Sequence, residues 1–262
     1  MQALRTAATG MAAQQMNVEV ISNNIANMNT VAFKRQRAEF QDLLYQTLAA
    51  AGTQSSDQGT IVPTGVQVGA GVKAGAVSRI NAQGSLTRTD NPFDLAIDGR
   101  GYFQVLTPSG DVGFTRAGNF SVNDQGQLVT QDGYQIEPAI TIPADAVQVS
   151  ISKAGQVEVL QAGATAPNVV GVIELATFVN EAGLSAQGGN LFRETAASGA
   201  PTTGTPGSTG IGTLTQGYTE ASNVDAVAEI TALIVAQRAY EMNSKVISTA
   251  DNMLATANQV KT

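Results

Sequence analysis

Apolar positions near the start of the chain recur every seven residues: Leu4, Met11, Val18 and Ile25. Ala7, Ile21 and Met28 occupy the alternate positions of the same repeat, with Gln14 as the one polar break. Two apolar positions per heptad make a narrow seam suited to another helix, not the broad face of a helix lying on a globular core. The pattern predicts a helix over residues 3–28, a rod of roughly 35–40 Å. It runs into a cluster of asparagines, Asn23, Asn24, Asn27 and Asn29. Their side chains compete for backbone hydrogen bonds and favour caps and turns, so a sharp exit is expected there.

Beyond the turn, Phe33, Phe40, Leu43, Leu44, Tyr45 and Leu48 fall at helix-like spacing opposite Lys34, Arg35 and Arg37, which predicts a second short helix. Residues 49–65 are rich in Ala, Gly, Ser and Gln and carry Pro63, a linker or extended-arm composition. From about residue 66 to 180 the period becomes two. Val147, Val149 and Ile151 alternate with Gln148 and Ser150, Val157 and Val159 alternate with Gln156 and Glu158, and Lys153-Ala154-Gly155 between them reads as a hairpin turn. Earlier strands are expected at 95–97, 102–106, 113–116, 119–122 and 127–130, separated by Gly, Asn and Asp turns, with a further one over 169–179. Such spacing predicts an antiparallel all-β domain. Residues 197–217 are Gly/Ser/Thr/Pro-rich and read as a loop or second linker.

Helical periodicity then returns. Ser222 with Asp225 matches a capping box. Past it Val227, Ile230, Leu233, Ile234, Met242, Val246, Ile247, Met253, Leu254 and Val260 recur at spacings of three and four, with neither Gly nor Pro across 224–260. This predicts a helix of roughly 55 Å, a length typical of coiled coils. The fold class expected is therefore α+β: long N- and C-terminal helices forming a coiled-coil-like core (1–30 and 222–262), connecting arms (31–65 and 197–221), and a central antiparallel β domain (66–196). The terminal helices are expected to pack together and against copies from other chains. An antiparallel hairpin within one monomer is the alternative, but a single pair this long leaves much apolar surface uncovered. The expected seam is Leu4, Met11, Val18, Ile21, Ile25 and Met28 with Ile230, Ile234, Met242, Val246, Ile247 and Leu254.

Composition supports this picture. Charged residues are 13% of the chain, about half the usual ~25%, as expected of a Gly/Thr-rich β protein or of a subunit covered by neighbours. The formal charge is −7, with 14 Lys and Arg scattered without a basic run, which argues against nucleic-acid binding. Cys, His and Trp are absent, removing disulfides, thiolate or His-based relays and His-ligated metals. No clean signal-peptide core or membrane-length apolar run is present.

Candidate chemistry is thin. Gly69, Gly71 and Gly75 have neither dinucleotide nor P-loop spacing and read as a glycine-rich β turn. Asp94 and Asp98 would lie about 13 Å apart along a strand, too far for a glycosidase pair at roughly 5–9.5 Å. Asn123, Asp124 and Gly126 read as a hairpin turn, not a calcium loop. Tyr102, Phe103, Phe114, Phe120 and Tyr134 could form a carbohydrate platform, but aromatics at alternating strand positions belong first to a core. No cofactor, metal, small-molecule substrate or catalytic residue is expected.

Ser22-Asn23-Asn24-Ile25-Ala26-Asn27, followed by Thr30-Val31-Ala32-Phe33-Lys34, resembles the signature of bacterial flagellar rod and hook proteins. Members commonly carry Gly before Phe-Lys. Ala32 replaces it here, which implies that this backbone need not be left-handed. Asp94-Leu95-Ala96-Ile97-Asp98-Gly99-Arg100-Gly101-Tyr102-Phe103 and Phe114-Thr115-Arg116-Ala117-Gly118-Asn119-Phe120 resemble the family's β-domain motifs. Ser222-Asn223-Val224 and the run Gln237-Arg238-Ala239-Tyr240-Glu241-Met242-Asn243-Ser244-Lys245 resemble its C-terminal helix. The motif positions carried over are Asn23, Asn24, Asn27, Thr30, Phe33, Lys34, Gln237, Arg238, Tyr240, Glu241 and Asn243. Length and a single β domain are similar to rod members, hook proteins being longer. The resemblance implies a non-enzymatic subunit of the rod, in its distal part, that self-assembles helically into the drive shaft carrying torque from motor to hook. It implies the terminal helices inside and the β domain outside. Implied partners are itself, proximal rod and hook subunits, the surrounding P- and L-ring proteins and the flagellar export apparatus. The implied place is the basal body from periplasm to outer membrane, reached without a cleaved signal peptide. Another axial protein (proximal rod or hook) is the alternative, followed by a carbohydrate-binding β module with oligomerising helices.

Overall fold

The computed structural model describes residues 2–52, 64–164 and 166–260. Among the described residues it is α+β, with an α-helix toward each end, twenty short strands between them and one 3-10 turn at Glu181–Gly183. The chain divides into two units: Met1–Ala26, Gln36–Ser78 and Asp225–Thr262 in one, Asn27–Arg35 and Arg79–Val224 in the other.

In the helical unit, α1 (Gln2–Ala26) and α2 (Ala226–Val260) pack antiparallel: Asn24 bonds to Glu229, and Gly10 lies against the Asn243 side chain. The pairing is intramolecular, and its buried residues are alanines together with Val20, Ile21, Asn24 and Glu229. Ala7 and Ala13 are buried on α1; on α2, Glu229, Ala236 and Ala250 are buried and Asn243 half-buried, one every seventh residue. Small side chains let two helices approach closely, and a spacing of seven keeps them on one face of a long helix. The start of α2 differs from the expected capping box. Asp225 is itself the cap, its Oδ1 accepting from Val227 and Ala228 N–H at 2.9 and 3.2 Å, while Ser222 Oγ accepts from Val224 N–H at 3.3 Å.

The short helix expected after the turn is not formed. Gln36–Asp42 is a strand paired with Val72–Arg79, and Tyr45–Ala49 pairs antiparallel with Val66–Gly69. In the first strand Gln36, Ala38 and Phe40 are half-buried and alternate with exposed Arg37, Glu39 and Gln41. That period of two was masked by the coincidental spacing of Phe33, Phe40 and Leu44, and so short a segment has little helical stability of its own. Within the expected 49–65 arm, residues 53–63 lie outside the described residues. Gly71 (φ +122°) sits where a Cβ would fall 2.2 Å from Thr9 Oγ1, so α1 and this glycine meet only because the side chain is missing.

The β unit is built around Tyr102–Leu106, which pairs with Val112–Thr115 on one side and with Gln135–Glu137 and Leu175–Thr177 on the other. This sheet continues through Leu191–Arg193 to Ser185–Gly188, and through Leu128–Val129 to Ser121–Val122. A three-stranded sheet (Ala146–Ile151, Gln156–Gln161, Asn168–Val172) carries the predicted hairpin, with Gly155 at φ +81°. The single strand expected over 169–179 is two strands in different sheets. Residues 197–221, expected as linker, supply three strands, because Thr202–Gly204, Thr213–Gln216 and Tyr218–Glu220 find partners in Leu175–Thr177, Leu95–Asp98 and Leu86–Arg88. Leu214 shows why: it is 1% exposed in the core with Leu95, Ile97, Phe103, Phe120, Ile136, Val159, Ile173 and Leu175. Phe103 packs edge-on against Phe120 in that core, and Phe114 packs edge-on against Phe178 in a second cluster with Tyr102, Ala176 and Leu184.

Candidate functional site

The candidate site is a pair of interlocks through which the N-terminal motif meets the C-terminal part of the chain. The first lies in the helical unit. Asn24, 1% exposed, sits in the last turns of α1. Its Oδ1 accepts from Gln36 N–H at 2.9 Å, and its Nδ2 donates to Gln36 C=O at 2.8 Å and to Glu229 Oε2 at 3.1 Å. An amide is the side chain that can donate and accept at once, so it mimics a strand neighbour for Gln36 while reaching α2. Between them Asn27 C=O and Oδ1 accept from Thr30 N–H and Oγ1, both at 3.1 Å, forming the predicted turn.

The second interlock is in the β unit. Residues 27–35 form a strap across it. Ala32 N–H donates to Glu220 C=O at 2.8 Å, Arg35 N–H to Asn223 Oδ1 at 2.7 Å, and Asn190 Nδ2 to Val31 C=O at 3.1 Å. Ala32 is left-handed at φ +57°. The expectation that alanine there implies an ordinary backbone is thus overturned: its bond to Glu220 and its burial hold the conformation despite the Cβ.

At the end of the strap, Lys34 Nζ lies 2.5 Å from Glu220 Oε1 and donates to Ala82 C=O at 2.9 Å. Arg116 Nε lies 2.5 Å from Glu220 Oε2. Lys34, Arg116 and Glu220 are 5%, 6% and 1% exposed. Arg116 Nη1 donates to the Gly101 carbonyl, and Nη2 to those of Ile97 and Gly99. Gly99, at φ +106°, turns the Asp98-Gly99-Arg100-Gly101 loop so that these oxygens converge. Burial alone would raise the Glu220 carboxyl, but Arg116, Lys34 and the Gly84 N–H outweigh it and hold it below the usual carboxylate range. Burial lowers the Lys34 ammonium, its bond to Glu220 opposing only part of that.

The other predicted positions distribute as follows. Ile21 is buried; Leu4, Met11, Val18, Ile25 and Ile247 are half-buried; Met28, Ile230, Ile234, Met242, Val246 and Leu254 are exposed. Of the motif residues, Thr30, Phe33 and Asn243 are half-buried, while Asn23, Gln237, Arg238, Tyr240 and Glu241 face outward. Sequence reasoning missed Glu220, Glu229, Ala236 and Ala250. The last two carried a signal, the seven-residue spacing Glu229, Ala236, Asn243, Ala250, obscured by the larger apolar residues beside it.

Among the described residues no group of His, Cys, Asp or Glu could hold a metal, and no helix is long and apolar enough to cross a membrane. A groove of about 870 Å³ in the β unit is lined by Arg88, Asp90, Phe93, Asp124, Gln216 and Tyr218 among others. Its polar groups are partly spent on the protein itself. Asp90 pairs with Arg88, and the Gln216 amide bonds to Pro92 C=O, Val149 C=O and Ile151 N–H.

Three family profiles match the chain in order: a flagella basal body rod protein profile over residues 4–34, a flagellar hook protein FlgE/F/G D1 domain profile over 96–159, and a flagellar basal body rod FlgEFG C-terminal profile over 215–260. Each interlock joins the first of these stretches to the third. The chain belongs to the flagellar rod and hook protein family. Within it, the chain is 69% identical over 261 residues to the flagellar basal-body rod protein FlgG of Caulobacter vibrioides, covering 100% of both. It is 52% identical to FlgG of Agrobacterium fabrum, with 97% of each covered, and 48% identical to FlgG of Borreliella burgdorferi, covering 100% and 99%. Against the rod protein FlgF of Caulobacter vibrioides identity falls to 34%, over 88% of this chain and 85% of that one.

Proposed function

We propose that the chain is a structural subunit of the distal flagellar rod, polymerising helically into the shaft that carries torque to the hook. The observation that carries this is the division of labour on α2. Its small-residue face is covered by α1, whereas Val227, Ile230, Ile234, Met242, Val246 and Met253 stay exposed, from 47% to 74%. Apolar side chains left uncovered along so long a helix need neighbours. Other copies of the chain supply them, the helices forming a coiled-coil-like inner layer with the seam residues between subunits. The graded identities, higher to relatives named FlgG than to FlgF, favour the distal part of the rod. Proximal rod and hook subunits are then the axial neighbours, the P- and L-rings the surrounding partners, and the flagellar export apparatus the route out, without a cleaved signal peptide. The role is mechanical, not catalytic.

Sedimentation velocity of full-length protein over a concentration series tests this. Wild type is expected to form concentration-dependent oligomers, and Val246→Asp to remain monomeric with unchanged circular dichroism. A buried unpaired carboxylate between subunits costs several kcal/mol, roughly 3–5. Equal assembly by Val246→Asp and wild type would refute the role of this face.

A further inference from the structure

The strap 27–35 is set apart within the β unit by how it is held. None of its residues belongs to either apolar core cluster. Apart from the buried Ala32 methyl, the attachments described are polar: the bonds of Ala32, Arg35, Val31 and Lys34 already given, with Ile80 N–H to Arg35 C=O at 2.8 Å and Asn223 N–H to Phe33 C=O at 3.4 Å. Each such bond exchanges for one with water at small net gain. Ala32 adds strain that works against seating.

We infer that Lys34 is a latch. Its ammonium on Glu220 keeps the strap seated, and the β core remains folded when that contact opens. Charge is shared unevenly at Glu220. Its Oε2 faces Arg116 and its Oε1 receives both Lys34 and the Gly84 N–H. Remove Lys34 and the carboxylate keeps Arg116 and Gly84, a neutral and hydrogen-bonded pair. Remove Glu220 and two buried cations face each other with no counter-charge, a far costlier state. Arg116 stays with the core in either case, because three backbone carbonyls bind it. The cluster is therefore asymmetric: Arg116 belongs to the core and Lys34 to a segment that can leave. Lys34 and Glu220 are 186 residues apart in sequence, so the strap cannot be latched until nearly the whole β unit has been made and folded. The segment that follows α1 thus stays unseated while the rest of the chain is still arriving.

Amide hydrogen exchange on full-length Lys34→Met tests this. The amides of Ala32, Arg35 and Asn223 are expected to exchange at least about tenfold faster than in wild type, with Tyr102–Leu106 and Leu175–Thr177 unchanged. Strap amides as protected as in wild type would overturn the latch. So would core amides accelerating with the strap, or a variant that fails to fold, since either makes Lys34 an ordinary core residue. Wild-type protein in rising urea gives a second reading. Strap amides should open at lower denaturant than the core strands, and a single shared isotherm would contradict the proposal.

Discussion

Asn24 and Glu229 stand 205 residues apart in the chain and meet in a buried hydrogen bond of 3.1 Å. Asn24 also supplies both bonds to the Gln36 backbone. Asn24→Ala removes all three, at about 0.5–1.5 kcal/mol net each. A loss of roughly 1.5–4.5 kcal/mol is expected, read as an earlier loss of helical ellipticity on heating. An unchanged midpoint would mean that water replaces the amide without cost.

The two faces of α2 should answer differently to substitution. Ala236 is 1% exposed against α1, so Ala236→Leu overpacks the pair and costs about 1–3 kcal/mol in the monomer. Met242, 63% exposed, should tolerate Met242→Ala within about 0.5 kcal/mol. Urea titration of dilute protein gives both numbers, and the reverse order would mean the packed face is misassigned.

Ala32 offers a stabilising change. An L-residue in the left-handed region costs about 1–2 kcal/mol, and glycine relieves this while giving back about 0.5–1 kcal/mol of chain entropy. Ala32→Gly should therefore stabilise by about 0.5–1 kcal/mol in chemical denaturation. Destabilisation of that size would show that the buried methyl outweighs the strain.

Glu220 sets an acid limb. Its carboxyl titrates lower in the folded protein than in the unfolded chain. The stabilisation is therefore complete above the unfolded glutamate value of about 4.3 and is lost as pH falls through the folded one. Glu220→Gln cannot titrate. It should be less stable by about 3–5 kcal/mol near neutrality and show a flatter decline between pH 5 and 3. Parallel curves for the two proteins would remove Glu220 from the acid response.

The helices and central strands were readable because their signals are local. The run from Ala226 to Val260 lacks Gly and Pro, and Tyr102–Leu106 and the Gly155 hairpin fall where period and turn chemistry put them. What was unreadable depends on distant partners. Thr213–Gln216 looks like linker until Leu95–Asp98 lies beside it, and Gln36–Asp42 becomes a strand because Val72–Arg79 pairs with it. Lys34 was singled out by its motif, yet nothing local marks Glu220 as its counter-charge. A buried ion pair is written at two points of the chain, and each point alone looks like a surface residue. The intramolecular helix contact was hidden in a different way. Large apolar residues drew attention to one face of α2, while the contact with α1 uses another, on which Glu229, Ala236 and Ala250 are buried.

We propose that the exposed apolar residues of α2 are the surfaces between subunits of a polymer. Electron cryomicroscopy of filaments grown from the purified full-length chain tests it most directly. The expected result is a straight tube in which Met242, Val246 and Met253 are buried between neighbouring copies at small radius. Filaments in which those side chains face solvent, with contacts made through the β units alone, would contradict it.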